Sequence, residues 1–252
     1  MDQAAFYGQQ EFNLPHDVVP LPSKGIFYKP KKESLKVGYL TANDENMLMS
    51  SNIINDGIIF NLLKSKIYEP GFDINQMIDV DIQSVLLFIR NTSFGSEYSY
   101  TLTDPSTGRK FDASIVVEEI DVQKPIHSPD ENGHFELFLP KSKKTIKLRL
   151  LTLGDTRELD KLVEQYPQNM VAPIITKRLE KHIVSIDGDS DRMNIVTFVS
   201  QMPISDSKDI RKFIKDCEPK LDLTRTIVAP SGERVTIDVT FGAEFFRPFF
   251  AV

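Results

Sequence analysis

Few residues of this chain have the type and spacing that chemistry needs, and each group falls short of a site. The string Asp187-Gly188-Asp189-Ser190-Asp191 opens like a calcium-binding loop. Its sixth position is Arg192 where glycine is required, and its twelfth is Phe198 where a bidentate glutamate is required, so a solvated acidic turn is expected instead. His127 and His134 flank Asp130 and Glu131, but two imidazoles in a proline-containing stretch lack the further ligands of a closed metal site. His16 and His182 stand alone, the second beside Lys177, Arg178 and Lys181 on what reads as an exposed helical face. Cys217 follows Lys212 and Lys215, cations that favour a thiolate, yet no base or oxyanion donor accompanies it, and a half-buried thiol is the plainer reading. Phosphate-binding glycine loops, HExxH, GxSxG and the kinase set are absent. The basic runs Lys29–Lys32 and Lys141–Lys147 read as solvated turns or strand edges. No catalytic residue, cofactor or metal is therefore expected, and function should rest on contact with other proteins.

The residues best suited to contact lie at the C-terminus. Of 17 phenylalanines, five (Phe241, Phe245, Phe246, Phe249 and Phe250) fall in the closing string FGAEFFRPFFAV. A chain end with so many rings must be covered, because left in water it would present a large apolar patch. Two covers are open: the protein's own core, or another subunit with the rings and Arg247 as anchors. Pro248 cannot donate a ladder hydrogen bond, so the tail should leave a sheet and not continue through one.

Composition sets the frame that must position these residues. With 252 residues the chain is long enough for one large domain or two small ones. Hydrophobic residues at 40% and charged residues at 26% are ordinary globular usage, which disfavours wholesale disorder and a membrane bundle. A net charge of −6 has the wrong sign for a protein held by phosphate neutralisation, so no nucleic-acid partner is expected. No apolar run approaches the roughly 18 residues of a membrane span, and the polar start MDQAAFYGQQ lacks a signal-peptide pattern. A single cysteine excludes an internal disulfide and suits a reducing cytoplasm. No membrane and no small-molecule substrate is expected.

Along the chain, the prolines of FNLPHDVVPLPSKG mark residues 1–24 as an extended N-terminal arm. A first α+β lobe is expected over 25–123. It should open with two strands in GIFYKPKKESLKVGYL around a charged turn. A helix capped by Thr41 or Asn43 follows, then a buried helix over DIQSVLLFIRN started by Asp79 or Asp81, and a hairpin around Asp104–Gly108. KPIHSPDENGH begins a linker over 124–140, a second lobe covers 141–240, and the tail is 241–252. The second lobe repeats the plan of the first. At an offset of 125, Asp81, Val85, Phe88 and Ile89 fall on Asp206, Ile210, Phe213 and Ile214; at an offset of 111, YLTANDENML falls on LLTLGDTREL. Two related helix-plus-hairpin lobes, from an internal duplication, are the simplest α+β architecture.

The strings LPSKGIFY (21–28), YLTANDENML, FIRNTSFG and FGAEFFRPFF resemble the baseplate hub family of T-even-type contractile-tailed bacteriophages, with likeness over most of residues 12–250. That resemblance implies a non-enzymatic tail morphogenesis protein whose partners are other baseplate hub and tail proteins, with possible oligomerisation. It would act in the host cytoplasm during assembly and, if structural, reside in the virion tail baseplate. Two roles fit: a hub subunit, or a hub assembly catalyst absent from the mature virion. An enzyme or metal-dependent module assembled from distant residues is the competing class. Partner contacts are expected at Leu21, Pro22, Ser23, Lys24 and Gly25 and at Phe245, Phe246, Arg247, Phe249 and Phe250. The resemblance implies Cys-Pro-x-Cys pairs at the hairpin turns, as many members of that family carry, in the manner of a zinc ribbon. Here those positions read Thr103-Asp104-Pro105-Ser106 and Val228-Ala229-Pro230-Ser231, so zinc is not expected and the turns must be held by other means.

Overall fold

A computed structural model describes residues 15–49, 55–117, 121–167, 170–239, 241 and 243–246. Strand β1 (His16–Pro20) pairs antiparallel with β2 (Ser34–Gly38), bringing Val19, Leu35 and Val37 inward. Thr41 then starts helix α1 (Ala42–Met49): its N–H donates to the Asp44 carboxylate at 2.7 Å, and Asp44 N–H returns to Thr41 Oγ1 at 3.4 Å. Helix α2 (Asn55–Lys66) follows, and Ile67 bridges back to Val37 of β2. Helix α3 (Asp79–Phe94) buries Val85, Leu86 and Ile89 and ends where Gly95 takes φ +81°, a conformation that L side chains rarely adopt. Strands β3 (Glu97–Thr103) and β4 (Lys110–Val116) form a hairpin of two seven-residue strands, then comes the short β5 (Val122–Gln123).

The second half runs through β6 (Phe135–Leu139), β7 (Lys144–Leu148), α4 (Leu153–Glu164), α5 (Ile174–His182) and β8 (Ile183–Ile186), which completes a three-stranded antiparallel sheet ordered β6-β7-β8. Helices α6 (Arg192–Gln201) and α7 (Ile204–Cys217) cover it, followed by β9 (Lys220–Leu221) and the hairpin β10 (Thr224–Val228) and β11 (Arg234–Asp238). A 3-10 turn, Ala243–Phe246, closes the described chain. Among the described residues, seven α-helices with small antiparallel sheets make a mixed α+β fold, as the sequence implies.

At two places the halves share local geometry. Thr152 caps α4 as Thr41 caps α1, with Asp155 in the place of Asp44. Asp81 and Asp206 are each the third residue of their helix and fully buried; each accepts from the backbone N–H and hydroxyl of a serine, Ser23 and Ser142. Those serines lie beside Lys24 and Lys143, which share φ values of +53° and +52°.

Two apolar cores result, and their membership departs from the sequence division. One is built on Val37, Leu62, Leu63, Met77, Val85 and Ile89; the other on Leu139, Ile146, Leu148, Leu179, Ile195 and Ile210. Ile78 and Val80, at the start of α3, belong to the second core, so α3 is anchored in both. The β10–β11 hairpin crosses back: Ile227, Ile237 and Val239 pack against the first core, together with Phe241, Phe245 and Phe246. The expected division at 124–140 is crossed again where β5 pairs with β9 and where Leu153 N–H donates to Met77 O at 2.7 Å.

Other boundaries also shift. Residues 16–20 of the expected arm are strand β1, because its partner is β2 and not a second strand within 25–40; residues 1–14 lie outside the described residues. Residues 22–27 are turns, and β6 occupies the last part of the expected linker. Helix α3 is capped at Ile78 without a side-chain bond; Asp81 instead turns its carboxylate across to Ser23.

Candidate partner-binding surfaces

The expected contact residues are best placed by following what the backbone does to each. In Leu21–Gly25 the side chains alternate: Leu21, Ser23 and Gly25 are buried, Pro22 is half-buried and Lys24 is exposed. Asp81 receives Ser23 N–H at 3.0 Å, Ser23 Oγ–H at 2.5 Å and the Tyr28 hydroxyl. Burial raises the Asp81 carboxyl above its ordinary range against the opposing pull of the Ser23 and Tyr28 bonds. Burial, and then the charge of Asp81, hold the Tyr28 phenol far above its usual value. Gly25 has φ +67°, and a Cβ there would lie 2.1 Å from Lys32 O. Three of the five residues thus act inside the chain, fastening the loop to the N-terminus of α3; Lys24 and Pro22 remain at the surface.

At the other end, Phe245 and Phe246 are 6% and 0% exposed, so of the two covers open to the tail these rings take the protein's own core. Phe245 stacks on Tyr98 at 5.2 Å and on Phe241 at 4.7 Å, and Phe246 meets Phe245 edge-on at 5.1 Å. Behind Tyr98 sits the fully buried Arg90, its guanidinium carbon 4.2 Å from the ring centre, donating to Gly95 O and to Glu97 O. The bend between α3 and β3 therefore supports the aromatic cover. Arg247, Phe249 and Phe250, and Pro248 with them, lie outside the described residues.

The two hairpin turns meet tip to tip. Asp104 is 2% exposed; it accepts from Ser106 N–H at 2.9 Å within its own turn, and from Ser231 Oγ at 2.8 Å and Ser231 N–H at 3.1 Å across the gap. Burial pushes the Asp104 carboxyl upward, but the Ser231 hydroxyl and the converging N–H groups outweigh it and hold the group below its ordinary value. This carboxylate–serine tie joins the turns at which the resemblance leads one to look for cysteines.

The residues with chemical potential are placed in structural roles. Asp187 bonds Lys144 and Thr145 N–H, and Asp189 bonds Asp191 N–H and Asn194, which makes the acidic string a turn. Asp130 accepts from Asn132 and His134 N–H, and His127 stacks on Phe213 at 4.5 Å. His182, expected to be exposed, is 7% exposed: it is the last residue of α5, and its Nδ1 bonds Arg149 O at 2.8 Å. Burial lowers its pKa below the ordinary imidazole value. Cys217, expected half-buried, is buried in the second core, and burial pushes its thiol up to about 12. Among the described residues no group of three or more His, Cys, Asp or Glu could hold a metal ion, and no helix is long and apolar enough to cross a membrane.

Sequence reasoning reached Asp81 and Asp206 as a matched pair but not their serines. It also missed the Asp104–Ser231 tie, whose two members stand 127 residues apart with no local pattern linking them.

No curated protein and no solved structure gives a significant match. The sequence profile described as T4 bacteriophage base plate protein matches residues 28–247, which takes in most of both cores, both hairpins and the aromatic cover. By that match the chain belongs to the T4 bacteriophage base plate protein family.

Proposed function

We propose that this chain is a non-enzymatic component of the baseplate hub of a contractile-tailed phage, acting through contacts with other hub and tail proteins. The family match over residues 28–247 carries the reading. The structure supports it through the use of its polar groups: Asp81, Asp206, Asp104, Asp155 and His182 all bond within the chain and order it. Contact with partners falls to the surface residues Pro22 and Lys24 and to Arg247, Phe249 and Phe250. The chain works during assembly in the host cytoplasm and stays in the tail baseplate. An assembly catalyst that leaves before maturation is the second reading, which the same family match fits equally.

The experiment is a phage carrying a stop codon early in this gene, grown with and without a complementing plasmid. The proposal expects tails lacking a completed baseplate, restored by the plasmid. Normal infectious particles in its absence would overturn it.

A further inference from the structure

The joined hairpin turns carry a surface that the tie between them does not need. Each turn is closed by its own backbone: Asp104 N–H donates to Arg109 O at 2.9 Å and Ala229 N–H to Glu233 O at 2.8 Å. Asp104 then locks one turn to the other through Ser231. The two tips are held as one unit, so the side chains on them keep their spacing before any partner arrives.

A cleft of about 260 Å³ opens where the tips meet, with half-buried Phe111 and exposed Pro230 offering apolar surface beside Arg109 and Lys110. At the last pair of the second hairpin Val228 stands opposite Arg234, and both are exposed, Val228 at 63%. Over residues 104–111 and 228–234 the exposed charges are thus Arg109, Lys110 and Arg234 against the lone acid Glu233. Asp104 is buried, and its carboxylate is taken up by donors of Ser106, Thr107 and Ser231. Asp112, next along the exposed face of β4, accepts from Thr101 Oγ1 at 2.8 Å. Among the described residues no carboxylate forms an ion pair with these three cations, whereas Lys144, Arg149, Lys177 and Lys181 each meet one. The whole chain carries −6, so a basic patch around an apolar cleft is a local departure and not a consequence of composition.

The occupant that fits combines two chemistries in one stretch. Carboxylates suit the guanidinium groups of Arg109 and Arg234, whose planar forks take them in bidentate form, and an aliphatic or aromatic side chain beside them suits the cleft. We propose that the joined tips dock an acidic segment of another tail protein, its apolar side chain against Phe111 and Pro230 and its carboxylates on Arg109, Lys110 and Arg234. The inference rests on the reading that the chain acts through contacts with tail proteins, and it names the chemistry of one such partner. Charges of this kind steer encounter and select the partner by sign.

Phage carrying R109E/K110E, and separately R234E, test this. The altered side chains are exposed, so the purified variants should melt as wild type does. The expected result is a fall of about tenfold or more in completed tails, the scale on which steering charges change association rates. Second-site changes that replace acids by lysine or arginine within one acidic segment of another tail protein should restore them. Charge-reversed phage that assemble as wild type does would overturn the proposal, and so would suppressors confined to this chain. If R109E/K110E melts early, R234E and R109Q decide. Wild-type protein that binds labelled single-stranded DNA, with binding lost in R109E/K110E, would assign the basic tips to nucleic acid and overturn the proposal as well. The two readings fail separately: a defective stop-codon phage beside a harmless charge reversal removes only this surface, whereas a normal stop-codon phage removes the hub assignment.

Discussion

Ser23 and Asp81 lie 58 residues apart in sequence and 2.5 Å apart at Oγ and Oδ2, and the same serine N–H donates to the other carboxylate oxygen. This clamp binds the first loop to the first turn of α3, and Ser142 with Asp206 repeats it at α7. Removing a buried acceptor leaves its donors unpaired. D81A is therefore expected to lose about 3 kcal/mol of stability by urea denaturation, and D206A a similar amount. A loss below about 0.5 kcal/mol for both would show the clamps to be incidental.

Phe246 tests the aromatic cover. Truncating a fully buried phenylalanine typically costs about 3–5 kcal/mol, so F246A should lower the denaturation midpoint sharply. A double variant of Phe246 and Phe249 would confound folding with binding. The single F246A variant, read by melting, separates the two. An unchanged midpoint would mean that the ring is not part of the core.

Asp155 gives the stability a pH dependence of known sign. Burial would raise its pKa, but the bidentate Arg149 guanidinium at 2.6 and 2.9 Å, the Thr152 N–H and Lys181 more than offset burial and hold it well below the ordinary value. A carboxyl lowered in the folded state contributes stability above its unfolded pKa, and that contribution is lost as pH falls through the folded value. Wild-type stability should decline from about pH 5 downward, and D155N should be less stable at neutral pH with a shallower acid slope. Equal slopes in the two proteins would count against the assignment.

The Asp104–Ser231 tie predicts a local effect. In S231A the hairpin turns lose the cross-hydroxyl bond, and in D104A they lose the whole tie. Amide exchange at Ser231 and Thr107 should quicken in D104A while protection in α3 stays as it is. Unchanged exchange at Ser231 would show that the turns are held by other contacts.

Much of this fold is legible locally. The offset of 111 that sets Thr41 on Thr152 reports two capped helices, and the offset of 125 that sets Asp81 on Asp206 reports two buried carboxylates, because capping and helix starts are written within a few residues. What periodicity cannot supply is which core an apolar face will join. Ile227 and Ile237 read as inward residues of a hairpin, but their packing against the first core depends on contacts over more than a hundred residues. The same holds for the two-residue pairing of β5 with β9. His182 misled for a related reason: its lysine neighbours suggest water, whereas its ring bonds a carbonyl that only the tertiary fold brings near. The five residues expected to make partner contacts at Leu21–Gly25 divide between interior and surface for want of any regular period through a turn.

The most direct test of the central claim is quantitative mass spectrometry of this polypeptide in purified mature virions and in infected-cell lysate. A hub subunit predicts a small, fixed number of copies per particle across independent preparations. Abundant protein in the lysate with none in the particle would contradict that claim and leave the assembly catalyst in its place.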